Sequence, residues 1–358
     1  FWRVPALPAL GESGDDPVRG LWFPSADAIT AATPDARKLV FTDPQGNVHV
    51  VPADVGRDGL LQRAAELTFY GHSSEVRQLA ISPDGRLAAS AAADNTLRVW
   101  NIEDGLPRQF IAEVEGGAAE KLAFGPSGEL LAVLTGLQLQ VVDTNDGNVL
   151  ETFDLGELHE TIAFADNGKL YLGSVSGALR VFSRGTGGDW TMNTLWQGDK
   201  GIRWLEASPE SRFLVLVDDD GLARLFNLAE GRIGERSLQM PSTVDEVVFT
   251  SGGLRVLFRT ANWVHLASSS SVGIVWLDAI LVPKALAGSR IVFGDAQQDE
   301  AAALGNRFYL PVAGNGYPRL AELSFTSSEV PGLFGKRADL LDEWSRRLAF
   351  VATQSADE

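Results

Sequence analysis

Through most of this chain, apolar and polar residues alternate with a period of two, in short runs closed by tight turns. The helical period of 3.6 is absent from these runs. Seven turn tetrads recur: Thr33-Pro34-Asp35-Ala36, Ser82-Pro83-Asp84-Gly85, Gly125-Pro126-Ser127-Gly128, Ala165-Asp166-Asn167-Gly168, Ser208-Pro209-Glu210-Ser211, Thr250-Ser251-Gly252-Gly253 and Gly294-Asp295-Ala296-Gln297. Each except the first follows a similar apolar run: "LAI", "LAF", "IAF", "LEA", "VVF" or "IVF". Pro at the second position presets φ, and Gly or Asn later in the tetrad accepts backbone angles that other residues resist.

After each turn comes a second strand and then a third. The third strands are expected at 47–52, 96–101, 137–143, 178–183, 222–227, 263–268 and 307–312. A more irregular fourth strand follows, as at 107–114 and 149–155. The chain therefore reads as seven units of about four strands each, with a period of about 40–50 residues. One such unit cannot bury both faces of its own sheet. Stacking the units around an axis buries them, so the expected fold is all-β, a seven-bladed propeller.

Composition narrows the function classes. There are 47 acidic and 30 basic residues, for a net charge of −17. Such a surface repels phosphate backbones and anionic lipid, and the small basic groups Lys336-Arg337 and Arg346-Arg347 do not reverse that. No nucleic acid and no membrane insertion are expected. Without cysteine there is no disulfide, thiolate metal site or Cys nucleophile. A composition rich in Ala, Gly, Arg and Asp and poor in Lys points to a bacterial source; a cytoplasmic setting is expected, although the absence of cysteine does not fix the compartment.

Residues 71–105, "GHSSEVRQLAISPDGRLAASAAADNTLRVWNIEDG", resemble a WD40 repeat. The likeness lies in Gly71-His72 at the start, the turn at Ser82, Ser90 ahead of Asp94, and the closing Trp100-Asn101 in place of Trp-Asp. The other units resemble it by spacing and strand pattern over 26–326. The resemblance implies a buried hydrogen-bond chain of Trp100, Ser90, His72 and Asp94, a structural network. A Ser/His/Asp set also invites a catalytic reading, but its spacing already has this structural explanation. Elsewhere Phe226, Phe182, Val142 and Val51 stand in place of Trp100. Gly136, Ser176 and Gln45 stand in place of Asp94, which only Asp220 retains.

The two ends leave the pattern. Residues 1–25 either supply an outer strand that closes the ring or are the tail of a preceding blade in a longer array. Residues 327–358 include "ADLLDEWSRRLAF" at 338–350, which reads as a short helix: Asp339 is a good N-cap, and Leu340, Leu341, Trp344 and Leu348 form one apolar face. That face either packs on the propeller or docks another domain of a larger protein.

Candidate chemistry is sparse. "GLFGKR" at 332–337 lacks P-loop spacing and its hydroxyl residue. His49, His72, His159 and His265 lie in different units without ligand spacing, so no metal and no cofactor are implied. Asp218-Asp219-Asp220-Gly221 reads as a turn, with a cation site as the alternative. Near the channel the first strands offer Glu75, Arg77, Arg203 and Glu206 among apolar residues.

In WD40 domains the usual contact face carries the loops into the first strand and between the second and third. By that resemblance Ser73, Glu75, Ala93, Asp218 and Asp219 are candidate partner contacts, with Arg203 and Trp204 beside the channel. Trp204 is read either as inter-blade core or as an anchor. The acidic balance suggests a protein partner with a basic patch. Two functions stand: a non-enzymatic protein-interaction scaffold or signalling sensor domain, and a small-molecule sensor or enzyme using the central channel.

Overall fold

The computed structural model describes residues 29–34, 37–52, 67–103, 107–113, 119–185, 187–250, 253–261, 263–282, 291, 307–312 and 319–324. They belong to the larger of two compact units, Phe1–Phe325; the other is Thr326–Glu358. Segment 1–25 and the helix expected at 338–350 lie outside the described residues.

Strands follow one another in antiparallel order. The first sheet is β1 (Thr30–Ala32), β2 (Lys38–Thr42), β3 (Val48–Pro52) and β4 (Leu67–Phe69). The second is β5 (Val76–Ile81), β6 (Leu87–Ala92), β7 (Thr96–Asn101) and β8 (Pro107–Glu113). The third is β9 (Lys121–Phe124), β10 (Leu130–Thr135), β11 (Gln138–Asp143) and β12 (Val149–Asp154). The fourth is β13 (His159–Phe164), β14 (Leu170–Ser174), β15 (Ala178–Arg184) and β16 (Trp190–Gln197). The fifth is β17 (Ile202–Ala207), β18 (Phe213–Asp218) and β19 (Leu222–Asn227), with an outer edge split into β20 (Arg232–Ile233) and β21 (Leu238–Gln239). The sixth is β22 (Val244–Phe249), β23 (Arg255–Thr260), β24 (Trp263–Ser270) and β25 (Gly273–Leu281). Of the seventh unit, β26 (Arg307–Val312) and β27 (Arg319–Ser324) are paired. How the ring closes rests on residues outside those described.

The register explains the repeat. Trp100 lies opposite Ala88. The positions equivalent to that pair are Leu39–Val51, Leu131–Val142, Leu170–Phe182, Leu214–Phe226 and Val256–Ala267. Four tetrads place glycine at positive φ in the turn between first and second strands: Gly85, Gly128, Gly168 and Gly253. The fifth has no glycine, and Glu210 and Ser211 take positive φ there instead.

The core lies between consecutive sheets. Val40, Val48 and Phe69 of the first sheet pack against Leu79, Ala88 and Trp100 of the second. Val99 and Leu97 meet Leu131 and Val133. Leu134 and Leu139 meet Leu172 and Phe182. Tyr171 and Leu179 meet Leu205 and Phe226, and Val215 and Leu225 meet Val247 and Phe258. Both faces of an inner sheet are thus buried, so its second strand is buried along its whole length, as in β6 "LAASAA", where Ser90 is the one polar residue.

The first strands of successive sheets lie side by side. Trp204 Nε1–H donates to Val244 O at 2.8 Å, and Leu205 N–H donates to Thr161 Oγ1 at 3.1 Å. Lys121 Nζ reaches within 5.3 Å of the Trp204 ring centre, from β9 to β17, past the intervening β13. Contact two sheets away requires the first strands to curve around a common axis. The fold is an all-β, WD40-like propeller.

Candidate protein-interaction face

The turn between β6 and β7 positions the polar chain of the second sheet. Asn95 takes φ 61°, which folds Asp94 back beneath the loop that carries His72. Trp100 Nε1–H donates to Ser90 Oγ at 2.8 Å, and Ser90 Oγ lies 2.7 Å from His72 Nε2. His72 Nδ1 lies 2.7 Å from Thr96 Oγ1, whose hydroxyl donates to Asp94 Oδ1 at 2.7 Å. One proton arrangement satisfies every atom: Trp100 donates to Ser90, Ser90 to Nε2 of a neutral His72, Nδ1–H to Thr96, and Thr96 to Asp94. The sequence reading lacked Thr96. It bridges His72 and Asp94, whose direct contact is longer at 3.5 Å.

Charges follow from this geometry. Burial holds His72 below the usual imidazole range, more than the nearby Asp94 carboxylate raises it. Burial would raise Asp94, but hydrogen bonds from the Thr96 hydroxyl and the Ser73 and Thr96 N–H groups outweigh it and hold the carboxyl at about 2. A neutral histidine, turned inward and linked to a fixed carboxylate through a hydroxyl, locks a turn. It presents no reactive atom to solvent.

The other sheets solve the same turn differently. The sequence equates Gln45, Ser176 and Asp220 with Asp94, but the acceptor that holds these turns stands two residues earlier, at the end of the second strand. Asp43 Oδ1 accepts from the N–H of Gln45 at 2.9 Å and of Asn47 at 2.8 Å. Ser174 Oγ accepts from Ala178 N–H at 2.8 Å. Asp218 Oδ1 accepts from the N–H of Asp220 at 3.0 Å and of Leu222 at 2.9 Å. Asp220 itself is exposed, 3.4 Å from Lys200. A second acid–histidine network also escaped the sequence reading: His49 Nε2 lies 3.0 Å from Asp43 Oδ2, and Nδ1 lies 3.1 Å from Thr68 Oγ1. Burial raises Asp43, but the hydrogen bonds of His49 and Asn47 prevail and lower it. The cue was an Asp six residues before a His that points to the same side of the sheet.

The candidate contacts divide. Glu75 and Asp219 are exposed; Glu75 lies 3.8 Å from Arg77, and Asp219 lies 4.0 Å from exposed Arg203. Ser73 is exposed, but its N–H and hydroxyl both donate to Asp94 Oδ2. Ala93 is half-buried, its N–H donating to Glu75 O. Asp218 is buried, and its remaining oxygen accepts from Arg224 at 2.5 Å, so it supports the turn rather than offering a contact. Trp204 is half-buried, packed beside Val215 and Val247 under the Lys121 ammonium. Among the described residues no group of three His, Cys, Asp or Glu is placed to hold a metal ion, and no helix is long and apolar enough to cross a membrane.

One first-strand position that is apolar in the other sheets described carries an acid. In register, Ala31, Ala80, Ala123, Ala163, Glu206 and Val248 are equivalent first-strand positions. Glu206 is the one acid among them. Burial and then the neighbouring Glu246 push its carboxyl up to about 8. Glu246 itself is tied to Arg259 Nε at 3.3 Å and accepts from Ile291 N–H at 2.8 Å.

Comparison with known proteins fits this geometry. Residues 65–101, from the outer strand β4 to the end of β7, match the family model "WD domain, G-beta repeat". Within this chain, these residues form a WD40 repeat. The chain is 24% identical over 163 residues to a p21-activated protein kinase-interacting protein 1-like of Danio rerio, covering 45% of this chain and 43% of that protein. It is 25% identical to WD repeat-containing protein SL1-17 of Schistosoma mansoni, covering 46% of this chain and 54% of that protein. It is 23% identical to COMPASS component SWD3 of Saccharomyces cerevisiae, covering 63% and 71%. The chain thus spans about half the length of the first two. A solved structure of U3-55K superposes on 82% of this chain and 92% of its own, with TM-score 0.59 at 17% identity, a likeness of fold. The WD40 match falls on the sheet that holds the complete Trp100–Asp94 network.

Proposed function

We propose that the chain is a non-enzymatic protein-interaction scaffold whose loop face receives a partner with a basic patch. The observation that carries this reading is the inward engagement of His72, Ser90 and Asp94, a set whose residue types would suit nucleophilic chemistry. The loop face leaves Glu75, Asp219 and Asp220 exposed, each within 4.0 Å of an exposed cation, Arg77, Arg203 or Lys200, and the net charge of −17 is what favours a basic partner. The relatives' names support the reading, one being a kinase-interacting protein and another a component of a complex. Composition supports a bacterial source, although these relatives are eukaryotic, and a cytoplasmic setting within a larger protein or complex belongs to the same proposal.

The test is capture from the source lysate by the wild-type chain and by a Glu75→Lys, Asp219→Lys variant. A stoichiometric partner retained by the first and lost by the second is expected. Equal retention by both moves the contact off this face. A second reading, small-molecule binding in the channel, is favoured by Glu206, an acid at a first-strand position that is apolar in the other sheets described, its carboxyl pushed up to about 8 by burial and by Glu246. Native mass spectrometry of the purified chain tests it, and an unliganded mass is the result against it.

A further inference from the structure

The outer strands of a propeller expose a row of unpaired backbone groups, and natural sheets blunt such edges with short strands, charges or Pro. Most outer strands here follow that rule. β4 has three residues, and the fifth sheet's edge is split into two dipeptides. β8 opens with Pro107 and carries Arg108 and Glu113; β12 carries Glu151 and Asp154; β25 carries Asp278; β27 carries Arg319 and Glu322. β16, "WTMNTLWQ", is eight residues long and has neither a charge nor a Pro. It is almost wholly exposed, Met192 and Leu195 included.

The hydrogen-bond phase identifies the free groups. Gly185 N–H donates to Asp189 O, so that pair is hydrogen-bonded. Alternation along an antiparallel ladder then makes Ser183–Thr191 and Val181–Asn193 hydrogen-bonded pairs. The N–H and C=O of Trp190, Met192 and Thr194 therefore point away from β15, in register up to the bulge at Leu195. Among the described residues no strand pairs with them. Trp190 packs edge-on against Phe153 of the third sheet, ring centres 6.5 Å apart. Exposed Asp189 and Asp199 flank its two ends.

We propose that the free edge of β16 is a strand-addition site for an extended, uncharged segment with basic flanks, supplied by a partner protein. Main-chain bonds to Trp190, Met192 and Thr194 set the register, and Asp189 and Asp199 receive the flanking cations. A second copy of this chain is the poorer occupant, because each copy carries −17 and its edge is flanked by the same acids. The strand lies on the rim, but its Asp199 end leads into the loop face, where Gly201 O accepts from Asp219 N–H at 3.1 Å, so the peptide is also titrated against the Glu75→Lys, Asp219→Lys variant, and undiminished binding there separates this site from the loop-face reading.

The test uses the whole chain and a capped peptide, Lys-Thr-Val-Thr-Val-Thr-Lys, with a Glu-flanked version as control. The expected result is binding of the Lys peptide with about tenfold slower amide exchange at Trp190, Met192 and Thr194, and at least about tenfold weaker binding of the Glu peptide. Met192→Pro removes one outward N–H and should abolish binding. If that variant melts early, Thr194→Lys supplies the same check, blunting the edge with a charge. No binding, protection elsewhere, or equal binding of the Glu peptide overturns the proposal. Sedimentation showing a dimer that Thr194→Lys dissociates assigns the edge to a second copy and overturns it too.

Discussion

The proton arrangement around His72 makes unequal demands on its members. His72→Ala leaves the Ser90 hydroxyl and Thr96 without their partner, at a cost of about 1–3 kcal/mol. Thr96→Val keeps the shape but strips Nδ1–H of its acceptor and Asp94 of its strongest donor, with a similar loss. Because both sit in one network, the double variant should lose clearly less than the sum, which urea denaturation of the two single variants and the double variant reads directly. Unchanged melting of His72→Ala would sink the structural role. Of these residues His72, Ser90, Asp94 and Trp100 were legible, since their spacing matches a known repeat. Thr96 was not, because a bridging hydroxyl depends on how close two side chains come across a turn, which spacing does not report. Asp94 also has a pH signature. Its carboxyl is depressed to about 2, so its contribution is present above the ordinary carboxylate range and lost as pH falls toward 2.

Strands were the most legible elements, because each tetrad fixes where one run stops and the next starts. The third strand expected at 96–101 is β7, Thr96–Asn101. Fourth strands were read less sharply. They face solvent, as the exposed β12 shows, and carry no inward alternation. The turns between second and third strands misled for a different reason. Asp218 and Asp220 are both acidic and two residues apart, and only the hydrogen-bond geometry shows which one caps. Asp218→Ala therefore unpairs two N–H groups and Arg224, and should destabilise the fold by about 2–3 kcal/mol. Asp220→Ala touches only an exposed pair and should change stability by less than about 0.5 kcal/mol. Thermal melting of the two variants separates the alternatives.

Across the whole molecule, two buried groups pull in opposite directions with pH. Glu206 is raised to about 8, so the folded state binds its proton more tightly than the unfolded chain does. Its contribution is full at low pH and is lost as pH rises from about 4.5 through 8. His265 is depressed to about 4 by burial. The folded state resists its protonation, so stability falls as pH drops from about 6.5 toward 4. Glu206→Gln should flatten the alkaline limb of a melting-temperature profile and leave the acid limb in place. An unchanged alkaline limb would place Glu206 in open water rather than in a buried position.

The placement of the core between sheets has a further consequence for a chain cut in two. Cleavage at the β16–β17 connection, near Asp199 and Lys200, lets the two walls of one inter-sheet core come apart, Tyr171 and Leu179 on one side, Leu205 and Phe226 on the other. The wall exposed there on each half has its best match on the other half. Fragments co-expressed from this site should reassemble, and those made alone should precipitate. The propeller is thus a natural two-piece reporter: any tether that brings the halves together is read out as a restored fold.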